Sequence, residues 1–111
     1  MEIGEVVLCK VYFSSFNNFK NRPVLVFKDN LPYNDFIGLP ISSKIENLQI
    51  DEFIISNKDF KNGKIPKTSK VMIRKSFIIS NSSILKSYGT LNSLKFNEIK
   101  NRFCNYFECK G

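Results

Sequence analysis

Asn21-Arg22-Pro23-Val24-Leu25-Val26-Phe27 is the stretch from which the fold can be read. A guanidinium is followed at once by a proline and a short apolar run rich in branched and aromatic side chains, the composition of a core strand. Proline fixes φ and carries no amide hydrogen, so it suits the first residue of a strand and not its middle. This predicts a strand over 23–28 that begins at Pro23, with Arg22 at the lip of the sheet. At such a place a loop hands over to a rigid element, and a charge can be held still while remaining reachable. The same position also suits an ordinary solvated strand-end arginine.

Working outward, Glu5–Phe13 reads as a first strand, and residues 14–21 as a loop too long for a tight hairpin turn. The loop sets Lys20 and Arg22 among Phe16 and Phe19. Cations interleaved with aromatics can hold a nucleic-acid backbone and stack its bases, although two such rings can equally fold back onto a core. Beyond the turn Asp29–Asn34, a third strand spans Asp35–Ile41 with Gly38 and Pro40 inside it. Both interrupt a regular ladder, which predicts an edge position or a bulge near the strand's end. Ser42-Ser43-Lys44 leave that strand, either as a turn or as side chains re-aimed at a site.

A fourth strand is expected over Ile50–Ile55, with Asp51 and Glu52 at its start. Ser56 is a candidate cap for a helical turn Asn57–Lys61, closed by Asn62-Gly63. A fifth strand follows at about Thr68–Ser80, with Val71, Ile73 and Phe77 as its core-facing residues. The last element is a helix. Leu91, Leu94, Phe96, Ile99, Phe103, Tyr106 and Phe107 recur at helical spacing, with Asn92 as N-cap and Leu91 and Phe96 at the spacing of a hydrophobic staple. These elements sum to a small, mainly β, barrel-like domain closed on one side by a C-terminal helix.

Composition sets the bounds. At 111 residues the chain is expected to be one domain, 1–111, with a single modest core. No apolar run approaches the roughly 18–20 residues of a membrane span. The opening Met1-Glu2-Ile3-Gly4-Glu5 lacks the basic and apolar regions of a signal peptide, so a soluble cytoplasmic protein is expected. Cys9, Cys104 and Cys109 form no CxxC pair and are expected to be reduced thiols. There is no histidine, which removes the commonest general base, the commonest zinc ligand and every imidazole-dependent triad. Carboxylates cluster only at Asp51-Glu52, so neither a metal site nor a cofactor is expected. A formal charge of +7 and a pI near 9.4 point to polyanionic ligands or acidic protein partners.

Taken in order, these features resemble the MazF/PemK toxins of bacterial type II toxin–antitoxin systems. The resemblance rests on Gly4-Glu5-Val6-Val7-Leu8, on Asn21-Arg22-Pro23-Val24-Leu25-Val26 and on Phe36-Ile37-Gly38-Leu39-Pro40-Ile41-Ser42-Ser43-Lys44. It continues through Ser69-Lys70-Val71-Met72-Ile73-Arg74-Lys75-Ser76-Phe77 and Tyr88-Gly89-Thr90-Leu91. It implies a twisted antiparallel SH3-like or CcdB-like barrel. It also implies a homodimer that cleaves single-stranded RNA at short sequences without a metal and is neutralised by an acidic antitoxin. The family's catalytic arginine precedes the strand-two proline, here Arg22, and its hydroxyl residue follows the strand-three isoleucine, here Ser42. Phe16, Phe19, Lys20, Ser43, Lys44 and Arg74 are then the expected RNA contacts.

One departure stands out. Where some members carry an arginine and an aspartate two apart in strand five, this chain has Met72 and Arg74. A carboxylate that could act as base is missing, which keeps a second reading open: a non-catalytic toxin, or an RNA-binding or interaction module, acting on a protein target as CcdB-type toxins act on gyrase.

Overall fold

The computed structural model of the chain describes residues 1–12 and 19–109. Strands β1 (Glu5–Tyr12) and β2 (Phe19–Lys28) pair antiparallel from Tyr12–Phe19 to Val6–Leu25. β2 therefore starts before Pro23, and Phe19, Lys20 and Asn21 are strand where a loop was expected. The expected loop residues Ser14–Asn18 lie outside the described residues. Pro23 is accommodated inside β2 because β3 (Asp35–Ser42) pairs with β2 only as far as Val24–Pro40. On the side away from β1 there is no ladder at Pro23 for an amide hydrogen to join.

β3 is a central strand, which overturns the edge position read from Gly38 and Pro40. Its second side pairs with β7 (Phe77–Ser80) along Asp35–Gly38 and with β6 (Ser69–Met72) at Ile41–Ser42. Pro40 falls in the gap between those two ladders, where its missing donor costs nothing. Gly38 is required by packing: a Cβ there would run into Val24 and come within 2.6 Å of the Ile79 Cδ1. The irregularity lies in β2 instead, between Val26 and Lys28.

The remaining strands are β4 (Glu52–Ile55), β5 (Phe60–Gly63) and β8 (Ile84–Leu91). The sheet order is β4-β6-β3-β2-β1-β8-β5, every pairing antiparallel, curled into a half-barrel. The single fifth strand expected over 68–80 is broken by a 3-10 turn at Ile73–Lys75. Asp51 holds that turn: its carbonyl accepts from the Ile73 N–H (3.1 Å) and its carboxylate from the Arg74 N–H (3.1 Å). Asp51 itself is buried in the turn before β4 and is not part of that strand. Ser56 does precede a 3-10 turn, Asn57–Asp59, with the Asp59 carboxylate accepting from the Ser56 N–H (2.8 Å). The chain then continues as β5 and not as helix.

Alternate residues of β2 serve opposite faces, as the period-two geometry of a strand demands. Val24 and Val26 join Val7, Cys9, Phe36 and Ile79 in a smaller core, while Leu25 joins Leu39, Ile41, Val71 and Ile99 in the larger one. The helix α1 (Ser93–Phe107) covers the larger core. Asn92 caps it by accepting from the Lys95 N–H at 2.8 Å. Phe27, the last residue of the opening stretch, stacks on Phe103 with centroids 4.4 Å apart and touches Phe96 at 5.7 Å. Of the apolar positions expected to pack, Ile99 is buried and Phe96 and Phe103 half-buried, but Leu94 is 73% exposed, and Tyr106 and Phe107 are exposed as well.

Candidate functional site

The β2–β3 ladder ends at Val24–Pro40, and the two strands part beyond it as β3 turns to pair with β6. Continuing the register places Arg22 opposite Ser42, on the face shared by Val24 and Pro40. Asn21, Pro23, Ile41 and Ser43 take the opposite face by alternation. The parting strands thus leave a cleft with two lobes, one on each face. The first, about 330 Å³, is lined by Asn21, Pro23, Ser43, Pro66, Lys67 and Tyr88 among others. The second, about 380 Å³, is lined by Val11, Val24, Pro40, Met72, Lys75 and Phe77. Arg22, Ile41, Ser42 and Lys44 line both.

The electrostatics are one-sided. Arg22, Lys44, Lys67 and Lys75 line the lobes, and among the described residues no carboxylate lines either of them. The Ser42 Oγ accepts from the Lys44 N–H at 3.1 Å, so the tight turn leaving β3 occupies an acceptor position of the hydroxyl and leaves its O–H to donate. Ser69, buried below the first lobe, donates to the Lys67 carbonyl at 2.9 Å and fixes that stretch. Cys9 is the register partner of Arg22 across the β1–β2 ladder. Burial pushes its thiol up to about 11, so it serves as a small core hydrophobe and not as a nucleophile.

The residues expected from sequence divide accordingly. Arg22, Ser42, Ser43 and Lys44 come together in the cleft. Lys20 is exposed on β2, on the same face as Arg22 two residues on. Phe19 is exposed at the far end of the β1–β2 ribbon, where Tyr12 meets it edge-on at 5.9 Å and the Lys10 Nζ sits 4.0 Å from its ring centre. Phe16 lies outside the described residues. Arg74 lines neither lobe; its Nε is 3.9 Å from the Asp51 carboxylate, in the turn that separates β6 from β7. Met72, in contrast, does reach the second lobe. Sequence reasoning missed Asn21, Lys67, Lys75 and Tyr88. Tyr88 had a signal, since it stands in the stretch Tyr88-Gly89-Thr90-Leu91 on which the resemblance rests. Among the described residues no group of three or more Cys, Asp or Glu is placed to hold a metal ion.

Comparison with known proteins agrees with this fold. The chain superposes on the Mycobacterium tuberculosis toxin MazF-mt6 with a TM-score of 0.72 at 15% identity, over 96% of this chain and 99% of that one. An endoribonuclease solved with its cognate antitoxin, from a mycobacterial species, gives a TM-score of 0.72 at 13% identity, over 97% and 95%. MazF from Deinococcus radiodurans gives 0.71 at 11% identity, over 98% and 97%. No protein of curated function matches the chain by sequence. The sequence profile of the PemK-like, MazF-like toxins of type II toxin–antitoxin systems matches residues 2–107, and the chain belongs to that family.

Proposed function

We propose that the protein is the toxin of a type II toxin–antitoxin pair and acts in the cytoplasm as a metal-independent endoribonuclease on single-stranded RNA. The observation that carries this reading is the cleft between β2 and β3, where Arg22 and Ser42 share a face, among cations and without a carboxylate lining. RNA supplies its own nucleophile. Its 2′-OH attacks the adjacent phosphorus in line, expels the 5′ oxygen of the next nucleotide and leaves a 2′,3′-cyclic phosphate and a 5′-OH. The protein must orient that attack and stabilise charge on the phosphorane oxygens. A guanidinium suits the task because its planar fork pairs two phosphate oxygens and stays charged. Ser42 donates its O–H to one of the same non-bridging oxygens or holds the 2′-OH in line. With the phosphate between the strands, the nucleotides on either side enter opposite lobes, and Lys20 and Phe19 lie along the path of the chain beyond them.

The chain has no imidazole, and among the described residues no carboxylate lines the cleft to take the 2′ proton, so rate enhancement rests on positioning and charge. This same feature favours a second reading, in which the cleft holds RNA without cutting it. An acidic antitoxin suits a +7 domain as its neutralising partner, and a homodimer is the expected assembly. The deciding experiment incubates the purified protein with a long unstructured RNA in EDTA and maps the fragment ends. Discrete cuts with 5′-OH termini are expected, and Arg22→Ala is expected to slow them by about 100- to 1000-fold with the fold intact. Intact RNA from folded protein supports the binding reading instead.

A further inference from the structure

Cys104 and Cys109 stand five residues apart, and on an unbroken α-helix that spacing sets two side chains about 140° around the axis from one another. The end of α1 brings them together instead. Glu108 leaves the helix in the left-handed conformation (φ 53°, ψ 52°), and the Cys109 N–H folds back to the Cys104 carbonyl at 2.9 Å. This is the six-to-one hydrogen bond of a Schellman turn, in which the residue three positions before the cap packs on the residue two positions beyond it. Both of those residues are cysteines here, each a free thiol, half-buried at Cys104 and exposed at Cys109. Ordinary bond lengths and that hydrogen bond keep the two Cα atoms within about 6.5 Å, and a disulfide spans roughly 4.4–6.8 Å. A hydrogen bond with the Cys104 thiol pushes the Cys109 thiol up from its ordinary value, which marks the two sulfurs as neighbours.

We propose that Cys104 and Cys109 are a thiol–disulfide exchange site, a dithiol that low-molecular-weight disulfides of the glutathione class convert to an intrachain bond across the end of α1. The exposed Cys109 thiolate attacks one sulfur of the incoming disulfide, whose S–S bond breaks and releases one thiolate, leaving a mixed disulfide on Cys109. The Cys104 thiolate then attacks the Cys109 Sγ and expels the second. Two protein thiols lose two electrons, and the incoming disulfide gains them, with the two protons, as two free thiols. Cys9 takes no part, since it is buried in the smaller core and burial keeps its thiol protonated. The bond acts on a turn that is costly to hold. The left-handed position at a helix end is normally taken by glycine, and here it falls on a glutamate. A covalent link keeps that turn closed, and with it the last turn of α1, where Tyr106 and Phe107 are exposed. Neither cysteine lines the β2–β3 cleft, so the site stands apart from the nuclease reading.

The test incubates the folded full chain with oxidised and reduced glutathione at a series of ratios, alkylates it under denaturing conditions and reads intact and peptide masses. The oxidised chain should take up one alkyl group, on Cys9, with Cys104 and Cys109 recovered as one cross-linked peptide, and excess reduced glutathione should reverse this. Cys104→Ser should instead accumulate the glutathione adduct on Cys109. Glu108→Gly should close as the unaltered chain does. Glu108→Pro, whose φ is fixed negative, should close more slowly by about tenfold or more. The proposal is overturned by a glutathione adduct that persists on Cys109 of the unaltered chain, by a link between two chains, or by equal closure in Glu108→Pro. It is equally overturned if all three cysteines remain open to alkylation at every ratio.

Discussion

Arg22 and Ser42 could each be placed from sequence by a local rule, a charge before a strand proline and a hydroxyl at a strand exit, but the roles expected of them came from the family resemblance. Only the resemblance named them together, since no local rule pairs residues so far apart in sequence, and it is the β2–β3 register, continued past Val24–Pro40, that sets them on one face. Lys67 and Lys75 were missed for a related reason. Nothing in a lysine's neighbours along the chain tells which of many cations a curled sheet will bring to one cleft. The geometry at Ser42 yields a specific expectation. Its oxygen is engaged by the Lys44 N–H, so the hydroxyl contributes through the proton it donates. Ser42→Ala should slow RNA cleavage by about 10- to 100-fold, less than loss of Arg22, because one neutral donor is removed and not a charge. Ser42→Thr keeps the donor and should retain most of the activity, measured as single-turnover cleavage of a labelled oligonucleotide.

At the scale of elements, the helix and the first strands were readable because their periodicities are sustained, whereas the stretch 68–80 was not. Its apolar residues alternate well enough for one strand, and the break at Ile73–Lys75 depends on Asp51, a distant buried carboxylate that sequence pattern assigns to the wrong element. Gly38 and Pro40 misled in the other direction. Both are strand breakers by local preference, yet β3 is central because Gly38 fits a close crossing of Val24 and Ile79 and Pro40 meets the gap between two ladders. Replacing Gly by Ala normally stabilises by about 0.4–1 kcal/mol through the unfolded chain. At Gly38 the new methyl has no room, and overpacking of this kind costs about 1–3 kcal/mol. The clash wins, so Gly38→Ala should lower the urea midpoint with the slope unchanged.

Over the whole molecule, charge bears on stability and on the proposed binding of RNA. Glu52 is held below the usual carboxylate range by the Gln49 N–H and then by Lys70, which joins β4 to β6. A depressed carboxyl pKa means that the unfolded chain binds the proton more readily. The contribution of Glu52 is therefore complete above the unfolded value, roughly 4.3, and is lost as pH falls through the folded one. Glu52→Gln should flatten the acid limb of the stability curve, measured by thermal unfolding across that window, and leave its neutral-pH slope untouched. The surplus of +7 acts on the ligand side. Arg22, Lys44, Lys67 and Lys75 sit around one cleft, and each phosphate they neutralise releases counterions. For single strands this gives a slope of about −0.7 in log K against log salt per phosphate, hence roughly −2 to −3 for the whole cleft. Lys44 lines both lobes, so Lys44→Ala should make that slope shallower by about 0.7 for an uncleavable 2′-O-methyl oligonucleotide. Substituting a lysine that does not line the cleft, such as Lys100→Ala on α1, should lower affinity slightly and leave the slope as it was, because that residue adds to the general field without neutralising a phosphate. Equal changes at the two positions would mean that RNA reads the overall charge of the domain and not the parting of β2 from β3.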